Sequence, residues 1–344
     1  MKNVLAFCLL GLAALAAFTV SGSKSGASPQ QAREVSPLQL EEQIPVPNVA
    51  GRIDHFSADA KRRRLFVSAL GNNTVEVIDV FAGRVMHSIT GLAQPQGTLY
   101  VPDFDQLVVA NAEDGKVRIY DGATYNLRKT LDFGKDPDNI RYDAASKKVF
   151  VGYGEEDGGI GMIDPATDER VGTDLKTGAH PESFQIEETG GHVFVNVPDA
   201  GNVVESIDRK TGAVTKWPLK GLRANYAMAL NEADHRLFTI TRKSPMLVVL
   251  DTETGKEIAR LPAAGECDDI FFDASRKRIY VVGGAGFISV FQENDPDHYQ
   301  LIENVPSAIG VRTGYLFVRR DRFYVGVPAK GNEPAQVWTY EAED

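Results

Sequence analysis

Residues 139–175 contain four short runs: Asn139-Ile-Arg-Tyr-Asp143, Lys148-Val-Phe-Val-Gly-Tyr153, Gly159-Ile-Gly-Met-Ile-Asp164 and Arg170-Val-Gly-Thr-Asp-Leu175. Each is rich in β-branched or aromatic residues, and the links between them are made of Ala, Ser, Thr, Gly, Pro, Asp, Glu and Lys. That pattern reads as strand, turn, strand. Four strands in about 42 residues is the arithmetic of one propeller blade. A single blade leaves both faces exposed, so it requires neighbours that repeat it.

The repeats are present. The second run recurs as Arg64-Leu-Phe-Val-Ser68, Gln106-Leu-Val-Val-Ala110, His192-Val-Phe-Val-Asn196, Arg236-Leu-Phe-Thr-Ile240, Arg278-Ile-Tyr-Val-Val282 and Arg322-Phe-Tyr-Val-Gly326. The central residues are Phe66, Val108, Phe150, Phe194, Phe238, Tyr280 and Tyr324, spaced 42, 42, 44, 44, 42 and 44 apart. A third strand follows each anchor and ends at Asp79, Asp121, Asp164, Asp208 or Asp251, with Gln292 and Glu341 in the last two copies. Asp208-Arg-Lys-Thr-Gly212 and Asp251-Thr-Glu-Thr-Gly255 then supply a tight turn: the acid accepts bonds from the turn's backbone and Gly takes the positive φ. These acids therefore read as structural.

The seventh copy has only three strands before the chain stops at Asp344, while Leu38–Pro47 looks like the missing fourth. The expected fold is all-β: a seven-bladed β-propeller of four-stranded antiparallel blades, closed by an N-terminal strand in the last blade. The blades fall at about 52–90, 91–134, 135–178, 179–221, 222–264, 265–304 and 305–344 plus 38–47. Asn73-Thr-Val-Glu-Val-Ile-Asp79 and Gly115-Lys-Val-Arg-Ile-Tyr-Asp121 carry a motif that resembles the YVTN-type repeat, and residues 38–344 together are similar to the YncE-like seven-bladed propellers. The resemblance implies a WD40-like ring in which binding and surface proteins are found, with lactonases and lyases on related rings. It transfers no catalytic set to this chain.

The first residues read as a sorting signal. Lys2 precedes an apolar run, Val4–Val20, and small residues follow it, so cleavage after Gly22 or Ala27 fits, Ala27 better. Residues 1–27 are the expected signal peptide and 28–37 a flexible leader, placing the mature chain in the periplasm or outside the cell. The rival is an uncleaved anchor, for which 17 residues is short. No second stretch could span a bilayer, so the mature chain carries no transmembrane segment. Only Cys267 would survive cleavage of the 2 cysteines, which leaves no internal disulfide. The net charge of −10 gives no basic excess to displace counterions from a polyanion, so nucleic acid is an unlikely partner on electrostatic grounds.

A site has to be argued from residues, not from the fold. The segments entering each first strand share one face, at the mouth of the central channel: Arg52-Ile-Asp-His55, Gln94-Pro-Gln96, Asp136-Pro-Asp-Asn139, His180-Pro-Glu-Ser183, Arg223-Ala-Asn-Tyr226, Glu266-Cys-Asp-Asp269 and Arg312-Thr313. The candidate ligand-binding residues are Arg52, Asp54, His55, Gln96, Asp138, Asn139, His180, Glu182, Asn225, Tyr226, Asp268, Asp269 and Arg312. Seven acids outnumber three arginines there, and a bound cation or shared protons would relieve the repulsion. His55, Asp138, His180, Glu182 and Asp269 are the candidate metal ligands; oxygen donors suit Ca²⁺ and the imidazoles suit Zn²⁺. In the competing reading the same groups pair among themselves as a collar, Arg52 with Asp54 and Arg312 with Asp268. His87, His192, His235 and His298 read as surface residues, and Cys267 as a buried thiol made a poor nucleophile by adjacent acids.

No CxxCH motif is present for haem c, Gly283-Gly-Ala-Gly286 is no NAD fingerprint, and HExxH, Walker and GxSxG motifs are absent. Two functions remain. One is a ligand-binding or interaction scaffold taking a small molecule, a peptide or another extracytoplasmic protein. The other is a divalent-metal-dependent lactonase, hydrolase or lyase with its site at the channel.

Overall fold

The computed structural model describes residues 35–344; the expected signal peptide at 1–27 lies outside the described residues. Seven four-stranded antiparallel sheets form, six of them running in sequence order from the axis outward. Blade three is typical, with strands Ile140–Asp143, Lys148–Tyr153, Gly159–Asp164 and Glu169–Lys176. The turn acids act as expected. Asp208 Oδ1 accepts from the backbone N–H of Lys210 and Thr211 and from the Thr211 hydroxyl, while Gly212 has a φ of 72°.

The second strand of each blade is buried on both faces, which is why its sequence is a continuous apolar run and not an alternation. Arg64–Ala69 and Gln106–Asn111 have no exposed residue, whereas the outer strand Arg84–Ile89 is mostly exposed. The anchors Phe66, Val108, Phe150, Phe194, Phe238, Tyr280 and Tyr324 are all buried. They sit in seven separate apolar clusters, one per blade–blade contact. Val108, Val117, Val149 and Ile163 join blades two and three; Tyr280, Val290, Phe323 and Val325 join six and seven.

The seventh contact closes the ring. Ile53, Phe56, Leu65 and Val67 of blade one pack with Tyr324, Ala335 and Val337 of blade seven, and Ile44 and Val46 complete the cluster. Leu38–Val46 pairs antiparallel with Ala335–Ala342, running from Leu38 opposite Ala342 to Val46 opposite Ala335 with one bulge at Leu40/Glu42. Blade seven is thus built from both ends of the propeller.

Three inner strands differ from the expected pattern. In blades two, five and six the mouth segment continues the strand through a bulge, at Pro95/Thr98, Asn225/Met228 and Cys267/Asp269. A bulge bends the strand and re-aims its side chains. Arg223–Tyr226 is therefore not a loop: Arg223 is exposed at the strand start and Asn225 is fully buried. Gly97, just inside the first bulge, lets the neighbouring blade approach; a Cβ there would lie 2.0 Å from the Asp138 carbonyl oxygen.

The latch makes a measurable demand on one side chain. Ile44 is 0% exposed and Leu40 on the same strand is 45% exposed. Ile44→Ala is expected to cost about 3 kcal/mol of folding stability in denaturant titration. Leu40→Ala should change it by no more than about 0.5 kcal/mol. Equal effects would mean that the strand does not seal the core.

Candidate functional site

The residue twelve positions before each anchor is Asp54, Gln96, Asp138, Glu182, Tyr226, Asp268 or Arg312, polar in every copy. Ring closure brings these seven equivalent positions to one axis. Five segments turn into position through a left-handed residue two positions earlier: Gln94, Asp136, Ala224, Glu266 and Gly310, with φ between 44° and 91°. The mouth is a funnel of about 260 Å³ lined by Arg52, His55, Gln96, Asp136, Asp138, His180, Glu182, Tyr226, Arg242 and Asp268.

One half of the funnel is neutralised. Asp268 is met by three guanidiniums: Arg242 directly, Arg312 at 3.6 Å and Arg52 at 3.8 Å. Arg52 also bonds the fully buried Asp54 at 2.7 Å. The Arg242 guanidinium lies over the Tyr226 ring at 3.7 Å and donates to the Cys267 carbonyl oxygen. The collar of internal pairs thus exists, with Arg242 as its centre. Arg242 sits at the end of a second strand, where no repeat-wide polar position marks it.

In the other half, among the described residues, no Lys or Arg forms an ion pair with Asp136, Asp138 or Glu182; imidazoles stand nearest, and Arg52 and Arg242 act on Asp138 and Glu182 only from a distance. Asp138, His180 and Glu182, from adjacent blades three and four, each bring one ligand atom within 4.8 Å of the other two. Asp138 is 7% exposed, and its Oδ1 is buried without any hydrogen-bond donor; His55 Nε2 stands 3.7 Å away. His180 Nδ1 lies 2.5 Å from the Gly154 carbonyl oxygen, which can only accept. The contact puts a proton on Nδ1, so in the neutral ring the lone pair is on Nε2, the tautomer a metal-binding histidine uses.

His55 sits beneath this trio. Its Nδ1 is 3.0 Å from Asp269 Oδ1, and Asn139 Nδ2 is 3.4 Å from its Nε2. Asp269 also accepts from the Gly314 backbone N–H at 3.0 Å. His55 and Asp269, expected as ligands, thus form a pair of their own outside the trio. Asn139 donates to the Glu182 carbonyl oxygen, and Asn225 to Asn196 Oδ1, so both bridge strands inside the protein. Gln96 donates to Asp136 at 2.9 Å. Cys267 is fully buried, and that burial, helped by Asp269, pushes its thiol well above the ordinary range.

The charges shift as this geometry requires. Burial would lower the His55 pKa, but Asp269, Asp54 and Asp138 outweigh it and raise it to about 9. Burial is the main cause that raises Glu182 to about 7, opposed by His180 and aided by Asp138. Asp138 moves up for the same first reason. The mouth therefore holds carboxyls that resist ionising and an imidazole that resists losing its proton.

No protein-family model matches the chain. A stretch of 102 residues is 28% identical to the protein YncE of Salmonella typhi, named as uncharacterized, covering 28% of this chain and 29% of that protein. Among solved structures, Kuenenia stuttgartiensis hydrazine synthase aligns with a TM-score of 0.72 at 18% identity, over 81% of this chain and 93% of that one. A chain of a mitotic checkpoint complex aligns with a TM-score of 0.73 at 15% identity, over 100% of this chain and 99% of that one. The chain is a seven-bladed β-propeller in which one stretch of 102 residues is similar to YncE. Identities this low speak to the propeller ring alone, a frame on which protein interactions are common. The YncE match covers under a third of that protein's length, so it carries no activity across.

The shifted groups fix the sign of a pH effect. Glu182 keeps its proton to about pH 7 when folded but releases it near 4.5 when unfolded. Between those values the folded state binds more protons, so stability falls as pH rises. His55 acts in the same direction: its contribution is complete below 6.5 and is lost as pH rises through about 9. In metal-free buffer the melting temperature is expected to fall steadily from about pH 5 to about pH 9. Glu182→Gln should flatten the acidic part of that fall, and a flat profile in the unmutated protein would refute the assignment.

Proposed function

We propose that the chain is an extracytoplasmic ligand-binding scaffold whose recognition surface is the channel mouth, with a divalent cation seated on Asp138, His180 and Glu182. One observation carries the reading. A buried carboxylate oxygen of Asp138 lacks any donor and faces a funnel where two other ligand-type groups converge. A buried unsatisfied anion is expensive, and a cation is the ligand that removes the cost. The imidazole in the set favours Zn²⁺ or Mn²⁺ over Ca²⁺, which prefers oxygen donors alone. The extracytoplasmic placement rests on the sequence of residues 1–27.

A rigid ring with polar loops around such a centre suits capture of a small molecule or peptide that completes the ion's coordination. A second reading is metal-dependent hydrolysis, of a lactone or another ester. His55, 3.7 Å from Asp138 and flanked by Asp269, is placed to move a proton near a carbonyl polarised by the ion.

Zn²⁺ and Mn²⁺ are expected to raise the melting temperature and to bind with one-to-one stoichiometry in calorimetry. At a hundredfold excess over Kd the gain is about 2.7 kcal/mol. Asp138→Asn with Glu182→Gln should abolish it while leaving the fold intact by circular dichroism. A protein that takes up no metal, or a double variant that binds as well as the parent, would remove this centre. A panel of lactones and esters tested on metal-loaded protein then separates the two readings: turnover lost in the double variant favours hydrolysis, and no turnover favours the scaffold.

A further inference from the structure

Beneath the mouth the axis widens into a second cavity of about 370 Å³, lined by the inner strands of all seven blades. His55 and Asp268 line both spaces and form the partition between them. The repeat register again identifies what faces the axis. Nine residues before each anchor stand Ser57, Leu99, Arg141, Gln185, Ala229, Phe271 and Tyr315. Six of these equivalent positions are uncharged, and one is an arginine.

Among the described residues Arg141 has no carboxylate within ion-pair distance: its Nη1 donates to the Ile140 carbonyl oxygen at 2.9 Å, its guanidinium lies 5.7 Å from the Phe184 ring centroid, and Asp269 and Asp138 act on it only from a distance. The acids at the roof of the cavity are engaged elsewhere. Asp269 accepts from His55 and Gly314, and Asp268 is held by Arg242. A guanidinium cannot shed its proton, so its charge stays inside the channel. An unpaired charge away from bulk water is costly, and it invites an anion with a planar pair of oxygens. The other walls mix apolar side chains, Leu99, Met228 and Phe271 among them, with polar ones such as Ser57, Ser183 and Gln185.

We propose that the inner channel is a second binding site, distinct from the mouth, in which Arg141 receives the carboxylate of a small organic acid and the apolar side chains of the wall take its hydrocarbon or aromatic body. The volume falls within the range of ordinary small-molecule pockets, about 300–1,000 Å³. The mouth offers anionic donors to a cation; the chamber below offers a cation to an anion. The two sites differ in chemistry and in the residues that would bind each ligand, and share only the partition of His55 and Asp268.

Benzoate is the probe, with benzamide as its uncharged counterpart, titrated into the full chain by calorimetry and by ligand-observed NMR. Benzoate is expected to bind one-to-one and benzamide at least tenfold more weakly. Arg141→Met should weaken benzoate by tenfold or more, and Arg141→Lys should restore part of the loss, with melting temperatures showing that each variant folds. Asp138→Asn with Glu182→Gln should leave benzoate binding in place, which separates this site from the mouth. Three results overturn the proposal: no benzoate binding by the folded parent, equal affinity for benzamide, or full affinity in Arg141→Met.

Discussion

The structure depends on the antiparallel pairing of Leu38–Val46 with Ala335–Ala342. Six blade–blade contacts would form in an open stack, but the seventh, between blades one and seven, exists only when the two ends meet. Closure fixes the ring at seven members and so fixes its radius. It also turns a linear repeat into a radial one. Asp54 and Asp268 are 214 residues apart in sequence yet share Arg52, because the same register position in every copy must face one axis. The chemistry at the mouth is a consequence of that closure and could not be assembled by any one blade.

Charge divides the mouth into two unlike halves. Around Asp268 three guanidiniums compensate the carboxylates, and the outcome is a rigid collar that ties blades one, five, six and seven. Around Asp138 and Glu182 no Lys or Arg forms an ion pair and Arg52 and Arg242 act only from a distance; burial chiefly raises Glu182, while three carboxylates raise His55 against burial. A purely structural collar would have spread its arginines evenly, since each unpaired buried acid costs stability. The asymmetry is the feature on which the proposal of a cationic guest rests.

The fold was legible because blade packing imposes a strict rule on sequence. The anchor strand lies between two neighbours and must be apolar throughout; the third strand must end in an acid that organises its turn. Both signals survive in each copy or nearly so. The latch was readable for a related reason, since a blade short of one strand demands it from the other terminus. The mouth residues were readable as a set, through their fixed offset from the anchors, but their pairings were not. Arg242 reaches Asp268 from the far end of a second strand in the preceding blade, a contact set by ring radius and side-chain reach. The bulges at Asn225/Met228 and Cys267/Asp269 shift what faces the axis without changing any hydrophobic pattern, so Asn225 looked like a mouth residue and is buried. Arg141 stood unnoticed inside a strand because its meaning comes from six equivalent positions that lack a charge.

The partition between the two cavities ties their electrostatics together. His55 bonds Asp269 on the chamber side and stands near Asp54 and Asp138 on the mouth side. Its high pKa is the sum of those three carboxylates acting against burial. A cation seated on Asp138 would take over one of the three and add a positive charge of its own, so the imidazolium would lose the balance that keeps its proton. His55 is therefore the group whose charge the proposed metal would displace. With His55 neutral, Asp269 keeps its hydrogen bond from Gly314 but gives up its nearest cation, and the remaining positive charge facing the inner chamber is Arg141. Occupancy of the funnel by a cation and protonation of the partition are thus opposed, because both draw on the same few carboxylates.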